Sequence, residues 1–420
     1  MRRYILTLLY LFCLSIFAIS QDHGHGHDDG HGHKQPAATQ HSDEGCGHPE
    51  EKGFDPGQTA FHHISDQNIY NIGPFSFPLP CFLYAPEEGW SVFSSGRFHP
   101  DEHGHGNGHV AIDRYVLIDG MVHRVADPDF PDGEVEINNH GFHTTVKNQE
   151  GKEEEVPAIC YDDQLWPVEA RSIADGGIFG GGITSFYDFS ITKNVVSMII
   201  VSLLMGWLFF HVAKKYKERR GMAPTGVQSF METMFVFIQD EVAKPFLGHQ
   251  WERFLPFLMS LFFFILGLNL FGQIPFLGGS NVTGNLAVTM VLAVITFIVV
   301  NINGNKHYWQ HILWMPGVPA WVKTILTPVE VLGLFIKPIT LMLRLFANIT
   351  AGHMVMVIFI GLIFVFGQGK WAPSLGTAVG STALTIFMMS IELLVAFIQA
   401  FVFTILTASY IGAAIEEAHH

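Results

Sequence analysis

LMLRLFANITAGH, residues 341–353, places Arg344, Asn348 and His353 inside one of the most apolar stretches of the chain. A charge at the centre of a bilayer costs between about 2.5 and 17 kcal/mol, depending on the reference state, and an ionisable residue there more often marks an ion path than a buried structural pair. On a helix, positions seven apart differ by about 20° around the axis. Glu330, Lys337 and Arg344 follow one another at that interval and Asn348 lies one turn further on, so the four form a single polar stripe. A second apolar stretch repeats the device. There Glu392 and Gln399 are seven apart, and Tyr410 lies eleven beyond Gln399. His353 falls opposite Arg344 around its helix and so meets a different environment. Glu330 and Lys337 fit positions near the cytoplasmic boundary, where long side chains reach water. Arg344, Glu392 and Gln399 have apolar sequence on both sides and no such escape.

The two stretches are too long for simple crossings. Residues 327–366 and 377–414 are each nearly forty residues long, separated by the turn-rich GQGKWAPSLG at 367–376. At ~1.5 Å per residue each helix would reach ~60 Å, twice the ~30 Å of a hydrocarbon core. Neither contains a polar loop, so the sequence predicts two steeply inclined helices forming a hairpin, the first bent at Pro338. Upstream, residues 194–213 have the length of one span, and the KKYKERR that follows at 214–220 marks the cytoplasmic side. Residues 225–250, with Glu232, Asp240, Glu241 and Lys244 among Met, Phe and Val, read as an interfacial amphipathic helix. Residues 254–277 and 285–304 read as a membrane hairpin. The expected fold class is an all-α membrane protein of about five to six membrane helices, preceded by a small, β-rich and disordered extracytoplasmic extension.

Composition agrees. The 420 residues are 49% hydrophobic and only 15% charged, with 37 phenylalanines, a balance that points to a membrane protein. Charge divides the chain near residue 190. Residues 21–190 hold 29 Asp/Glu against 8 Lys/Arg, a net of −21, whereas residues 191–420 hold 9 against 13, a net of +4. Residues 1–20 have Arg2 and Arg3, an apolar run, then small residues at Ala18 and Ser20, the layout of a signal peptide cleaved near Gln21. An uncleaved anchor helix is the alternative; either places residues 21–190 outside the cytoplasm. Residues 21–66 are His/Gly/Asp-rich with little to bury and are expected to be disordered. Their histidines have no fixed ligand spacing, so a solvated tail is preferred to a metal site. Residues 67–190 read as a β-rich unit. VAIDRYVLID (110–119) and MVHRVA (121–126) flank the hairpin signal Asp119-Gly120. The acid run 153–155 reads as a solvated face, and no catalytic constellation appears. Cys46, Cys81 and Cys160 permit one disulfide and leave its pairing open.

From about 190 to 415 the chain resembles the a subunit of the F-type ATP synthase, the stator of its membrane motor. The resemblance lies in TPVEVLGLFIKPITLMLRLFANITAGH (327–353) and IELLVAFIQAFVFTILTASYI (391–411), with weaker support from NLFGQIPF (269–276). It implies that Arg344 is the family's essential arginine and Gln399 its partner on the adjacent helix. It further implies that Asn348, His353 and Glu392 line a half-channel open to the outside, with Glu330 toward the cytoplasmic half-channel. Tyr410, on the Gln399 stripe, joins them as a proton-translocation candidate. Many bacterial members carry an acid where this chain has His353 and a histidine where it has Glu392; the exchanged order is that of mitochondrial members. The pair remains one acid and one imidazole, which favours protons over sodium.

The implied partners are a rotor ring of c subunits, a peripheral stalk of b subunits, the nucleotide-binding F1 head, membrane lipid and the proton itself. No nucleic acid, metal or cofactor is expected. The implied place is a bacterial inner membrane, with residues 191–415 as the membrane domain and residues 416–420 as a cytoplasmic tail. The chain has no P-loop, so it is not expected to make ATP by itself. A secondary transporter would show inverted repeats, and none is visible. A metal transporter would pair His and Asp within the spans, where His353 stands alone. The long amino-terminal extension lies outside the family's usual pattern.

Overall fold

A computed structural model of the chain describes residues 46, 65–72, 75–100, 106–137, 139–147, 153–170, 186–274, 280–315, 317–367 and 371–416. The expected signal peptide, nearly all of the His-rich segment, the break at 368–370 and the tail beyond Glu416 lie outside the described residues.

The membrane part is all helix. Helix α1 (Lys193–Glu218) leads to α2 (Val227–Ile238), α3 (Trp251–Gly272), α4 (Leu286–Ile302), α5 (Lys306–Leu313), α6 (Ala320–Gly367) and α7 (Trp371–Ile415). Four helical stretches among the described residues are long and apolar enough to cross a membrane. A fifth appears if α4 and α5, bent by 106° at their junction, count as one span. Residues 225–250 differ from a free-standing interfacial helix. A π-turn at Gln239–Ala243 and a helical turn at Lys244–Leu247 carry α2 onward, and one 46-residue helical path runs from Val227 to Gly272. The reason is packing: Ile238, Val242, Ala243 and Leu247 are buried in the same core as α3 and α7.

Helices α6 and α7 have 48 and 45 residues and pack against each other more extensively than any other pair. Helix α6 runs unbroken through Pro328 and Pro338. On α7 the fully buried positions other than Ile411, namely Ala396, Ala400, Thr404, Thr407, Ala408 and Ala414, are small. In lipid, where apolar burial alone gives no drive, small residues let helix backbones approach closely. Helix α3 fills the space beside them, with Leu258, Leu261, Phe262, Phe264 and Ile265 fully buried.

The extension is a β unit. Strands β1 (Ile69–Ile72) and β2 (Phe75–Pro78) form a hairpin. Strands β3 (Pro80–Ala85) and β4 (Gly89–Ser94) join β12 (Tyr187–Asp188) in a three-stranded sheet ordered β12-β3-β4. The remaining strands are β5 (Val110–Ile112), β6 (Tyr115–Ile118), β7 (Met121–Val125), β8 (Glu134–Glu136), β9 (Asn139–Lys147), β10 (Glu153–Tyr161) and β11 (Gln164–Glu169). They form a seven-stranded sheet ordered β8-β5-β6-β7-β11-β10-β9. Asp119 and Gly120, at φ 51° and 78°, make the tight turn between β6 and β7 that their sequence signals. Strand β6 is buried on both faces: Tyr115 and Leu117 belong to one core, Val116 and Ile118 to another. The acid run 153–155 pairs with β9, but the exposure of its side chains lies outside the described residues.

Cys46, within the segment expected to be disordered, is disulfide-bonded to Cys160 on β10, and Cys81 is free and buried. The unit is also fastened to the membrane part. The Lys193 amide donates to the Gln67 carbonyl at 2.8 Å, and the Asn194 amide donates to the Asp66 carboxylate at 3.0 Å, so Asp66 satisfies an orphan donor at the start of α1.

Candidate functional site

The hairpin of α6 and α7 brings His353 and Glu392 into contact, although 39 residues separate them in sequence. Both side chains are more than nine-tenths buried. His353 Nδ1 faces Glu392 Oε1 in a short hydrogen bond, and His353 Nε2 faces the Gly272 carbonyl at the end of α3, 3.2 Å away. The carbonyl can only accept, so Nε2 carries a hydrogen. Two states then satisfy the Nδ1 contact. Either a protonated Glu392 donates to a neutral ring, or an imidazolium donates to a carboxylate. Each places one proton between the two groups and leaves the pair neutral, as burial favours. The pair can therefore accept and pass on a proton with little movement.

Its surroundings fix its position. Gly352 leaves room for the acid: a Cβ there would lie 3.2 Å from Glu392 Oε1. Gln273 donates to the Glu392 carbonyl at 2.8 Å, and Asn269 donates to the Ala396 carbonyl at 3.0 Å. Asn269 in turn accepts from the Thr283 hydroxyl at 2.7 Å. Nearby, the Ser197 hydroxyl of α1 bonds that of Ser280 at 2.8 Å. The sequence did not single out Gly272, Gln273 or Asn269 as site residues. Polar residues in an otherwise apolar NLFGQIPF were the signal available.

Arg344 lies elsewhere. It is half-buried on α6, with Thr340, Ala347, Asn348 and Ala351 exposed around it on one stripe. No hydrogen bond or ion pair joins it to Gln399, which is 8% exposed on α7, among the described residues. Asn348 sits with Arg344 on that outer stripe rather than with the buried pair. Toward the other end of the hairpin, the Lys337 ammonium lies 5.5 Å from the centre of the Tyr410 ring, and Tyr410 is within electrostatic reach of Arg344. Lys337 and Tyr410 line a cavity with Thr296, Asn301 and Tyr308 of α4 and α5. The Thr296 hydroxyl is buried there without a protein partner among the described residues. Glu330 is half-buried, two heptads before Arg344, and no hydrogen bond or ion pair joins it to another site residue among the described residues.

A family model described as ATP synthase A chain matches residues 195–412, more than half of the chain. The chain belongs to the ATP synthase A chain family. It is thus a membrane subunit of an F-type ATP synthase, and the matched span takes in α6, nearly all of α7, Arg344 and the His353–Glu392 pair. Among similar proteins, ATP synthase subunit a of Chloroherpeton thalassium is 40% identical over 240 residues, covering 56% of this chain and 69% of its own. ATP synthase subunit a of Myxococcus xanthus is 39% identical over 278 residues, covering 63% of this chain and 88% of its own. The part of the β unit up to residue 150 falls under a different family model, a domain of unknown function, at residues 59–150.

Proposed function

We propose that this A-chain protein is the proton-translocating stator, in which Arg344 is the fixed charge and His353–Glu392 the proton relay. The observation that carries this reading is the division of the hairpin into two polar sites. One is a buried acid–imidazole pair joined by a short hydrogen bond; the other is a guanidinium on an exposed stripe of small residues. The stripe suits a rotor ring of c subunits, each bringing one carboxyl past Arg344. Such a carboxyl stays neutral against lipid, because a bare carboxylate there is costly. Beside a guanidinium, charged at any physiological pH, it can ionise, and Asn348 and Gln399 flank that exchange point. The positive charge also repels an excess proton and so blocks direct leakage.

His353 and Glu392 then serve the half-channel open to the outside. Glu330, Lys337, Tyr410 and the cavity with Thr296, Asn301 and Tyr308 serve the cytoplasmic one, a water being the fitting partner for the Thr296 hydroxyl. The protein has no catalytic role of its own. ATP is made in the F1 head, to which the stator is held by a peripheral stalk of b subunits. The driving force is about 2.3 kcal/mol per charge per 100 mV.

The same proposal places residues 1–20 as a cleaved signal peptide, residues 21–190 outside the cytoplasm and residues 416–420 inside, in a bacterial inner membrane. The Cys46–Cys160 disulfide supports the outside position, since disulfides persist in oxidising compartments. So does the Lys/Arg cluster at the far end of α1.

Replacing the fixed charge tests the proposal. Arg344→Ala is expected to abolish ATP synthesis and ATP-driven pumping in vesicles while the rotor ring still assembles, and passive proton leak should rise. Arg344→Lys should fail too, because an ammonium in an apolar site can lose its proton. ATP synthesis from an imposed proton gradient by Arg344→Ala vesicles would remove Arg344 from this role.

A further inference from the structure

The three-stranded sheet β12-β3-β4 has one face in the core and one that is left uncovered among the described residues. Cys81, Leu83 and Ala85 on β3, Phe93 on β4 and Asp188 on β12 point inward and are buried. Side chains alternate across a strand, so their neighbours share the opposite face. The register pairs Phe82 with Val92 and Tyr84 with both Trp90 and Tyr187, and Phe189 continues the edge strand by donating its amide to the Phe82 carbonyl at 2.8 Å. Trp90 is 61%, Val92 60% and Phe189 41% exposed. The rings touch, with Trp90 5.1 Å from Tyr84 and 5.5 Å from Phe189 between centroids.

Three features say what covers this face. First, it contains no charged residue, although residues 21–190 carry a net of −21. Anionic headgroups repel an acidic unit at close range, so a surface of that unit that meets a bilayer must be free of negative charge. Second, five of its six members are aromatic, and Trp and Tyr gather at membrane–water interfaces. Third, it is continuous with a membrane-crossing helix. The edge strand runs on through Ile191, whose amide donates to the Pro80 carbonyl at 3.2 Å, and enters α1 at Lys193. Phe189 is therefore four residues from the start of a membrane helix. Phe75 and Phe77, 67% and 50% exposed on the β1–β2 hairpin, extend the apolar surface beyond the sheet.

We propose that the Phe82–Tyr84–Trp90–Val92–Tyr187–Phe189 face docks the β unit onto the lipid bilayer surface at the side where α1 enters it. The aromatic rings sit at headgroup level, and the docked sheet holds the β unit against the bilayer beside the start of α1.

The test is depth-resolved quenching on the full chain in phosphatidylcholine vesicles. An environment-sensitive fluorophore is attached at Val92→Cys without reductant, leaving the disulfide intact, and labelling of the parent protein is subtracted. Gln164→Cys, exposed at the far sheet, is the control. Blue-shifted emission at 92, with most of it lost to a nitroxide placed near the headgroup and none of this at 164, is the expected result. Adding Trp90→Glu should return the probe at 92 to the emission of the control. A probe at 92 that is water-exposed like the control overturns the proposal. Blue-shifted emission that lipid nitroxides do not quench also overturns it, and gives the face to a protein partner instead.

Discussion

At the scale of single residues, the His353–Glu392 pair makes the sharpest demand. The two side chains meet in one buried hydrogen bond, so neither should tolerate replacement alone. His353→Glu sets two acids side by side, and like-charge repulsion then holds one of them protonated. Glu392→His on that background restores one acid and one imidazole. Proton flux in the double variant is expected to exceed that of either single variant; flux no better than the summed losses would separate the residues into different paths. Cys81 makes the opposite kind of prediction. Burial, with Asp188 adding to it, pushes its thiol up to about 12. Since the thiolate is the reactive form, alkylation of the folded protein at pH 8 should leave Cys81 unmodified. Modification at the rate of an exposed thiol would show that the sheet opens.

At the scale of elements, glycine decides how closely helices approach. A Cβ on Gly412 would fall 2.2 Å from the Phe246 carbonyl oxygen, and no side-chain rotation relieves a clash with backbone. Gly412→Ala should therefore push the end of α7 away from the turn Lys244–Leu247, at a cost of ~1–3 kcal/mol. The expected readout is a lower melting temperature of the detergent-solubilised protein; an unchanged one would mean that the two elements do not pack so closely. Both long helices could be read from the sequence, because forty apolar residues without a loop admit few alternatives. The stripe through Arg344 was legible for the same reason that it is costly, since a charge in lipid stands out from its neighbours. What holds the pair in place was less legible. The acceptor for His353 is the Gly272 carbonyl, 81 residues away, and the Gln273 side chain reaches the Glu392 carbonyl across 119. Every residue has a carbonyl, so no residue type announces such a contact. The sheet was legible hairpin by hairpin, as at Asp119-Gly120. Its order was not, since pairing β7 with β11 depends on long-range packing that turn signals do not encode.

At the scale of the whole molecule, the question is what the two parts owe each other. Arg344, Asn348, His353, Glu392, Gln399, Glu330 and Tyr410 all lie in the helical part. The β unit contributes fastening: Asp66 and Gln67 meet the first amides of α1, and the disulfide closes 114 residues around the β core. A loop of that length stabilises by about 4–5 kcal/mol in the chain-entropy account, so the β unit should keep its fold without help from the membrane helices. Deleting residues 22–190, with residues 1–21 kept for targeting, is therefore expected to leave ATP-driven proton pumping in inverted vesicles near normal per assembled complex. The amount assembled should fall, because α1 loses a cap worth ~1 kcal/mol and the backbone partner of Lys193. Normal assembly with lost pumping would overturn this division of labour, because the acidic extension would then belong to the proton path itself.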